Sequence, residues 1–181
     1  ANGVPVVTIE RSPYANGLFR LIDTSQNLHL DRLTLSGGWA SGSGGAVSTM
    51  SNPNVSPLLT LTDVVLSGNR SDSDGGAIAS SGVLFVNGSR LRANQASTRG
   101  GAIFAGGLAN VAIDHSFLYG NSAGSGGAIF AGSILVTNSA IHGNAASFEG
   151  GGLRGGSVTV IDSDIVDNSA VGGGGGIYGY G

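Results

Sequence analysis

Along residues 27 to 178 the apolar positions recur at fixed distances from an asparagine. The reference positions are Asn69, Asn94, Asn121, Asn144 and Asn168, with Gly38 in the first copy. Ten residues before each stand Leu28, Leu59, Leu84, Val111, Ile134 and Val158; eight before stand Leu30, Leu61, Val86, Ile113, Val136 and Val160. The position between these columns is unconstrained: His29, Thr60, Phe85, Ala112, Leu135, Thr159. Alternation of this kind, rich in β-branched residues, predicts a half-buried strand. Three residues before the reference lies another apolar column, Leu35, Leu66, Leu91, Leu118, Ile141 and Ile165. Its odd offset from the eight-back column requires a turn between them. Asp31, Thr62, Asn87, Asp114 and Thr137 supply turn-forming side chains there.

Five or six residues after each reference position comes a glycine pair: GGAV at 44–47, GGAI at 75–78, 100–103 and 126–129, GGGL at 150–153 and GGGI at 174–177. The steps are 31, 25, 26, 24 and 24 residues. Repetition with this period is the signature of a stacked architecture. Each unit holds three short strands: the alternating pair, a second around the three-back column, and a third on the glycine motif. No stretch has helical periodicity of useful length. The predicted fold is all-β, a single-stranded right-handed parallel β-helix forming one domain over residues 1–181. The opening VVTIE adds a further rung, giving about seven, with starts near 7, 28, 59, 84, 111, 134 and 158.

Stacking explains the two invariant features. Asn tolerates the left-handed backbone of a turn, and Asn69, Asn94, Asn121, Asn144 and Asn168, piled in register, are expected to form an amide ladder. Glycine permits the corner into the third strand and close approach of successive coils. It is not a phosphate cradle, because the motif matches neither G-x-G-x-x-G nor a Walker loop and opens no helix.

Composition narrows the picture further. Glycine numbers 34 of 181 residues, charged residues are 10% and hydrophobic residues 40%, with net charge −3. Disorder does not fit that hydrophobic content and low charge. Collagen is excluded by the glycine spacing. A mildly acidic chain without a basic patch has no footprint for nucleic acid. There is no cysteine, so neither disulfides nor thiolate metal sites contribute. No apolar run is long enough to insert in a membrane. Scarce charge, and basic residues that are all Arg, suit a rigid extracellular protein.

The paired motifs, G-G-A-[ILV] together with LSGN, LRAN, LYGN, IHGN and IVDN, resemble the polymorphic outer-membrane protein repeats of bacterial surface and autotransported proteins. The family's F-x-x-N motif has Leu or Ile in place of Phe here, which preserves a buried apolar residue. The resemblance covers roughly residues 27 to 177. It implies a right-handed β-helix on or outside a cell, used as an adhesive or structural passenger.

Candidate chemistry is sparse. Asp162, Asp164 and Asp167 lie close together, as do Asp72 and Asp74. The Asp162/Asp164 pair has the chemistry for the acid and base work of glycan cleavage, yet no neighbouring rung supplies a matching Asp, and a solvated turn accounts for it. Asp72 and Asp74, in a turn before Gly75 and without a repeated Asp column, make only a weak site for a cation such as Ca²⁺. His29, His115 and His142 occupy different columns and form no metal-binding pattern. No catalytic residue, metal or cofactor is assigned. The long connection STMSNPNVSP, 48–57, reads as a surface insertion rather than as a binding loop. Outward positions carry Phe104, Phe130 and Tyr178 in one column, with Phe85 and Leu135 on the neighbouring strand. These five form an expected interaction stripe. No capping helix is evident at either end, and the terminal rungs are expected either to continue into a longer protein or to pair between copies.

The function expected is therefore a non-enzymatic extracellular structural or adhesive solenoid at the bacterial cell surface, self-associating end to end or laterally into filaments or a layer. Its partners are copies of itself, other surface proteins or glycans. The alternatives are a polysaccharide-active enzyme (lyase or hydrolase) using Asp162, Asp164 and Asp72, and a glycan-binding module using Phe104, Phe130 and Tyr178.

Overall fold

A computed structural model describes residues 7–50, 52 and 54–180. Its strands stack in parallel into a β-solenoid of about seven turns with three sheets, and no helix occurs among the described residues. The seven-stranded sheet comprises Val7–Glu10, Leu33–Ser36, Val65–Ser67, Arg90–Arg92, Phe117–Tyr119, Ala140–His142 and Asp164–Val166, in that order. Register is unbroken: Leu35 pairs with Leu66, Leu66 with Leu91, Leu91 with Leu118, Leu118 with Ile141, and Ile141 with Ile165. The first five of these side chains are fully buried, and Ile165 packs partly buried against them. Each such burial contributes roughly 1.5–3 kcal/mol gross.

The ten-stranded sheet holds both the alternating strands and the glycine-motif strands. In later rungs the two are continuous, as in Ile103–Asp114, Ile129–Thr137 and Leu153–Ile161. The third strand of one turn thus runs directly into the first strand of the next. The third side is a six-stranded sheet of two-residue strands placed immediately after the asparagine column, such as Gln95–Ala96 and Ser122–Ala123. Sequence periodicity did not reveal it, since two residues are too short to alternate.

The opening strand differs from expectation in register. Val7 pairs with Leu33, so Val7–Glu10 belongs to the seven-stranded sheet and does not begin the column of Leu28. The glycine-motif position of that first turn is filled by Ile22, which pairs with Val47.

Three corners per turn carry left-handed backbone. The first is the column Arg32, Asp63, Gly88, His115, Asn138 and Asp162; the second is Gly37, Gly68, Ala93, Gly120, Gly143 and Asp167; the third includes Gly75, Gly100 and Gly126. The second column lies one residue before the asparagines. Their own backbone is therefore not the left-handed element, and the sequence-based reason for Asn at this turn is corrected. At the third corner Gly100 has φ +65°, and a Cβ on the following Gly101 would collide with the carbonyl oxygen of Gly127 in the next rung. The glycine pair serves two separate needs: the first residue turns the chain, and the second lets adjacent rungs touch.

Candidate functional site

The asparagine column is buried and bonded along the axis. Asn69, Asn94, Asn121 and Asn144 are each at most 1% exposed. Each Nδ2 donates to Oδ1 of the following asparagine, at 3.0 Å from Asn69 and Asn94 and 2.9 Å from Asn121 and Asn144. Each also donates to a carbonyl of the preceding rung, as Asn94 does to Leu66 at 3.1 Å. The backbone N–H of Asn94 donates to Asn121 Oδ1 as well. Asn168 accepts from Asn144 and donates to the Ile141 carbonyl. These amides specify register, and that is why the position is kept polar inside an apolar coil.

A second ladder was missed by sequence reasoning. Ser89, Ser116 and Ser139 are buried at the first corner. The N–H of Ser89 donates to Ser116 Oγ, that of Ser116 to Ser139 Oγ, and that of Ser139 to Ser163 Oγ, all at 3.0 Å. Each hydroxyl then donates to the carbonyl two residues back, as Ser116 does to Asp114 at 2.7 Å. The signal was present in the sequence: serine stands five residues after the first apolar position in four successive rungs. A search restricted to apolar columns passes over it.

The aromatic column points outward but is covered. Phe104 and Phe130 are 5% and 9% exposed and form a separate small cluster with Ala79 and Met50. Arg99 lies 4.5 Å from the Phe104 ring centroid, and Arg154 lies 4.8 Å from that of Phe130. Tyr180 stacks on Phe130 with centroids 6.1 Å apart. Tyr178 is half-buried, with Arg154 above its ring. Two long guanidinium side chains and the chain's own tyrosine thus occupy the surface that an external ring would use, and the expected stripe is not an open one. Phe85 and Leu135 do remain exposed, at 47% and 39%.

The carboxylates go different ways. Asp74 accepts from Arg99 Nε and Nη2 at 3.0 and 2.8 Å and from the Thr98 hydroxyl; this hydrogen bonding raises the Arg99 pKa further. Asp72 accepts from Trp39 Nε1 at 3.1 Å. Asp162 and Asp164 line a shallow groove with Phe117, Asn138, Ser139 and Ala140, while Asp167 sits at a left-handed corner. Asp114, at the first corner, accepts from Asn138 Nδ2 at 3.0 Å and Thr137 Oγ1 at 2.8 Å, and His115 Nδ1 is 2.8 Å from its other oxygen. These bonds, Asn138 first, lower its pKa from 3.8 to about 2. Of the histidines, His29 and His115 are exposed and His142 stacks on Tyr119 at 5.2 Å. No group of three or more metal-ligating residues occurs among the described residues. In the inserted segment, the carbonyls of Thr49 and Val55 accept from the Ser81 hydroxyl.

The outer face of the seven-stranded sheet gathers what these sites leave over. Inward Leu91, Leu118, Ile141 and Ile165 put the flanking residues of each strand outward. Successive rows therefore present Arg90 and Arg92, Phe117 and Tyr119, Ala140 and His142, Asp164 and Val166. Phe117 is 45% exposed, and Arg90 lies 5.7 Å from its ring centroid. The groove lined by Phe117, Ala140 and Asp164 opens on this face.

Residues 63–81, which run from the first corner to the glycine-motif strand of one rung, match the Chlamydia polymorphic membrane protein (Chlamydia_PMP) repeat. This one matched repeat and the β-solenoid around it fit a polymorphic outer-membrane repeat β-helix protein. No curated protein and no solved structure matches the chain. Within the matched repeat, Leu66, Asn69 and the pair Gly75–Gly76 are the residues whose packing, amide bonding and close approach build the rung. The repeat motif is thus a description of how one rung holds the next.

Proposed function

We propose that this chain is a non-enzymatic structural or adhesive β-solenoid of the bacterial surface, acting by presenting a stiff, repetitive wall that associates with copies of itself. The observation that carries the reading is the Asn69–Asn168 ladder, in which the buried polar groups are committed to holding rungs in register. The repeat matched at residues 63–81 supports the surface location. Asp72, one of the three carboxylates considered for an enzyme, accepts a hydrogen bond from Trp39, and its neighbour Asp74 is tied to Arg99. The strands Asp164–Val166, Ser169–Ala170 and Ile177–Gly179 each have one hydrogen-bonded neighbour among the described residues. A further rung of the same polypeptide or of another copy would continue their register.

Display of the chain on a bacterial surface tests this reading. Adhesion or cell–cell clumping above an undisplayed control, with fibres or sheets of the purified chain in negative stain, is the expected result. A specific observation favours one rival: the groove of Phe117, Asp162 and Asp164 combines a ring with carboxylates, a combination suited to sugars. Turnover of a polyuronate or another glycan, abolished by Asp164→Asn, would replace the structural reading with the enzymatic one.

A further inference from the structure

We propose that the outer face of the seven-stranded sheet is a self-complementary docking surface on which a second copy of this chain packs with its axis antiparallel. The inference deepens the self-associating reading above and rests on it. Its basis is the order of four rows: a basic row at Arg90, an aromatic row at Phe117, a small row at Ala140 and an acidic row at Asp164, in strict register.

The charges on this face, Arg90, Arg92 and Asp164, form no ion pair among the described residues, and Arg90 rests against the Phe117 ring, 5.7 Å from its centroid. Arg90 and Asp164 stand three strands apart, roughly 14 Å at ~4.8 Å per strand, beyond the reach of a salt bridge inside one chain. A two-fold axis running along the strand direction, midway between the rows of Phe117 and Ala140, brings them together. It reverses the row order and keeps the columns. Arg90 of each copy then faces Asp164 of the other, at both ends of the contact.

The same operation resolves the middle of the face. Phe117, nearly half exposed, is carried over Ala140 in the groove it helps to line, so a ring meets a hollow on both sides of the axis. Tyr119 is carried over His142, the pair that already stack within each chain at 5.2 Å. Arg92 adds to the basic end and Asp162 to the acidic end. A parallel arrangement of the two axes would instead oppose Arg90 to Arg92 and Phe117 to Tyr119, placing like charges face to face and leaving the groove unfilled. Charge and shape therefore select one orientation.

The four rows span a footprint of roughly 200 Å² at normal strand dimensions, against ~800 Å² per partner for a stable complex. An isolated pair is accordingly weak and salt-sensitive. Many copies held on one surface would engage together and gain from multivalency.

Complementary charge reversal provides the test. Sedimentation of the purified chain at concentrations up to about 1 mM, where weak pairs register, should show a reversible dimer that dissociates as salt is raised. Arg90→Asp alone and Asp164→Arg alone should each weaken dimerisation at least tenfold. Mixing the two variants should restore it, because each supplies the charge the other lacks, and the double variant Arg90→Asp/Asp164→Arg should dimerise by itself. Unchanged denaturation midpoints verify folding, since both side chains lie outside the coil. Absence of a dimer, single variants that pair as well as the parent, or a mixture that fails to recover would each overturn the proposal. So would capture of a glycan at Phe117 by a chain that does not pair. Clumping and fibres that persist in both single variants would overturn only this interface, leaving the broader self-associating reading intact.

Discussion

Asn94 and Asn121 share a 3.0 Å hydrogen bond between Nδ2 and Oδ1, and the same Nδ2 donates backward to the carbonyl of Leu66. One side chain therefore joins three consecutive rungs. A backbone ladder links a strand only to its immediate neighbours and slides by whole residues at little cost. The buried amide fixes which residue sits over which.

Replacing Asn121 with Leu removes its bonds to Leu91 and Asn144 and the acceptor for both donors of Asn94. Buried donors left unmade cost about 1–3 kcal/mol each. The expected loss is on the order of 3–5 kcal/mol, read as a fall in the urea midpoint, with Asn121→Asp no better because a carboxylate cannot donate to Leu91.

Gly101 and Ala93 should respond in opposite directions. A methyl group at Gly101 meets the Gly127 carbonyl, and Gly101→Ala should cost several kcal/mol, at the upper end of single substitutions. Ala93 sits at φ 53°, where its neighbours in the column include Gly68, Gly120 and Gly143. Left-handed backbone costs a non-glycine residue roughly 1–2 kcal/mol, partly offset by the extra unfolded-state freedom of glycine. Ala93→Gly should thus raise the thermal midpoint slightly, a gain of about 0.5 kcal/mol.

Asp114 should give the fold an acid-sensitive component. Its pKa is lowered to about 2 from 3.8 by bonds from Asn138, His115 and Thr137. A carboxylate with a depressed folded-state pKa contributes stability that is fully present above the unfolded value and is lost as pH falls through the folded one. Denaturant midpoints should therefore decline between about pH 4 and pH 2, and Asp114→Asn should flatten that part of the profile.

Arg99 both neutralises Asp74 and covers Phe104. Arg99→Gln should cost about 1.5–3 kcal/mol, the range for a charge-assisted bond, and should increase binding of a hydrophobic dye as the ring is uncovered. An unchanged dye signal would mean that another side chain takes over the cover.

The coil and its core were legible because Leu35, Leu66, Leu91 and Leu118 repeat the same environment, and stacking turns one favourable position into a column. Two kinds of feature were not. VVTIE occurs once and satisfies the alternation of either of two strand types, so only pairing with Leu33 decides its register. The burial of Phe104 and Phe130 depends on Arg99, Arg154 and Tyr180, which reach over the surface from just before the Gly100 corner, from the neighbouring strand Leu153–Ile161 and from just past the final strand. Alternation specifies the side of a strand a residue faces, and says nothing about what lies across it. The row from Arg90 to Asp164 escaped notice for a related reason: its members are spread over four repeats and share no residue type.

The direction of the asparagine bonds bears on how the molecule is made. Each amide needs a carbonyl from the rung already laid down and an acceptor from the rung still to come. During synthesis or export from the N-terminus, the newest rung would remain incomplete until the next ~25 residues arrive, a few seconds at ribosomal rates of about 5–20 residues per second. The growing solenoid would carry a single vulnerable rim that travels with the emerging chain, and everything behind it would already be locked.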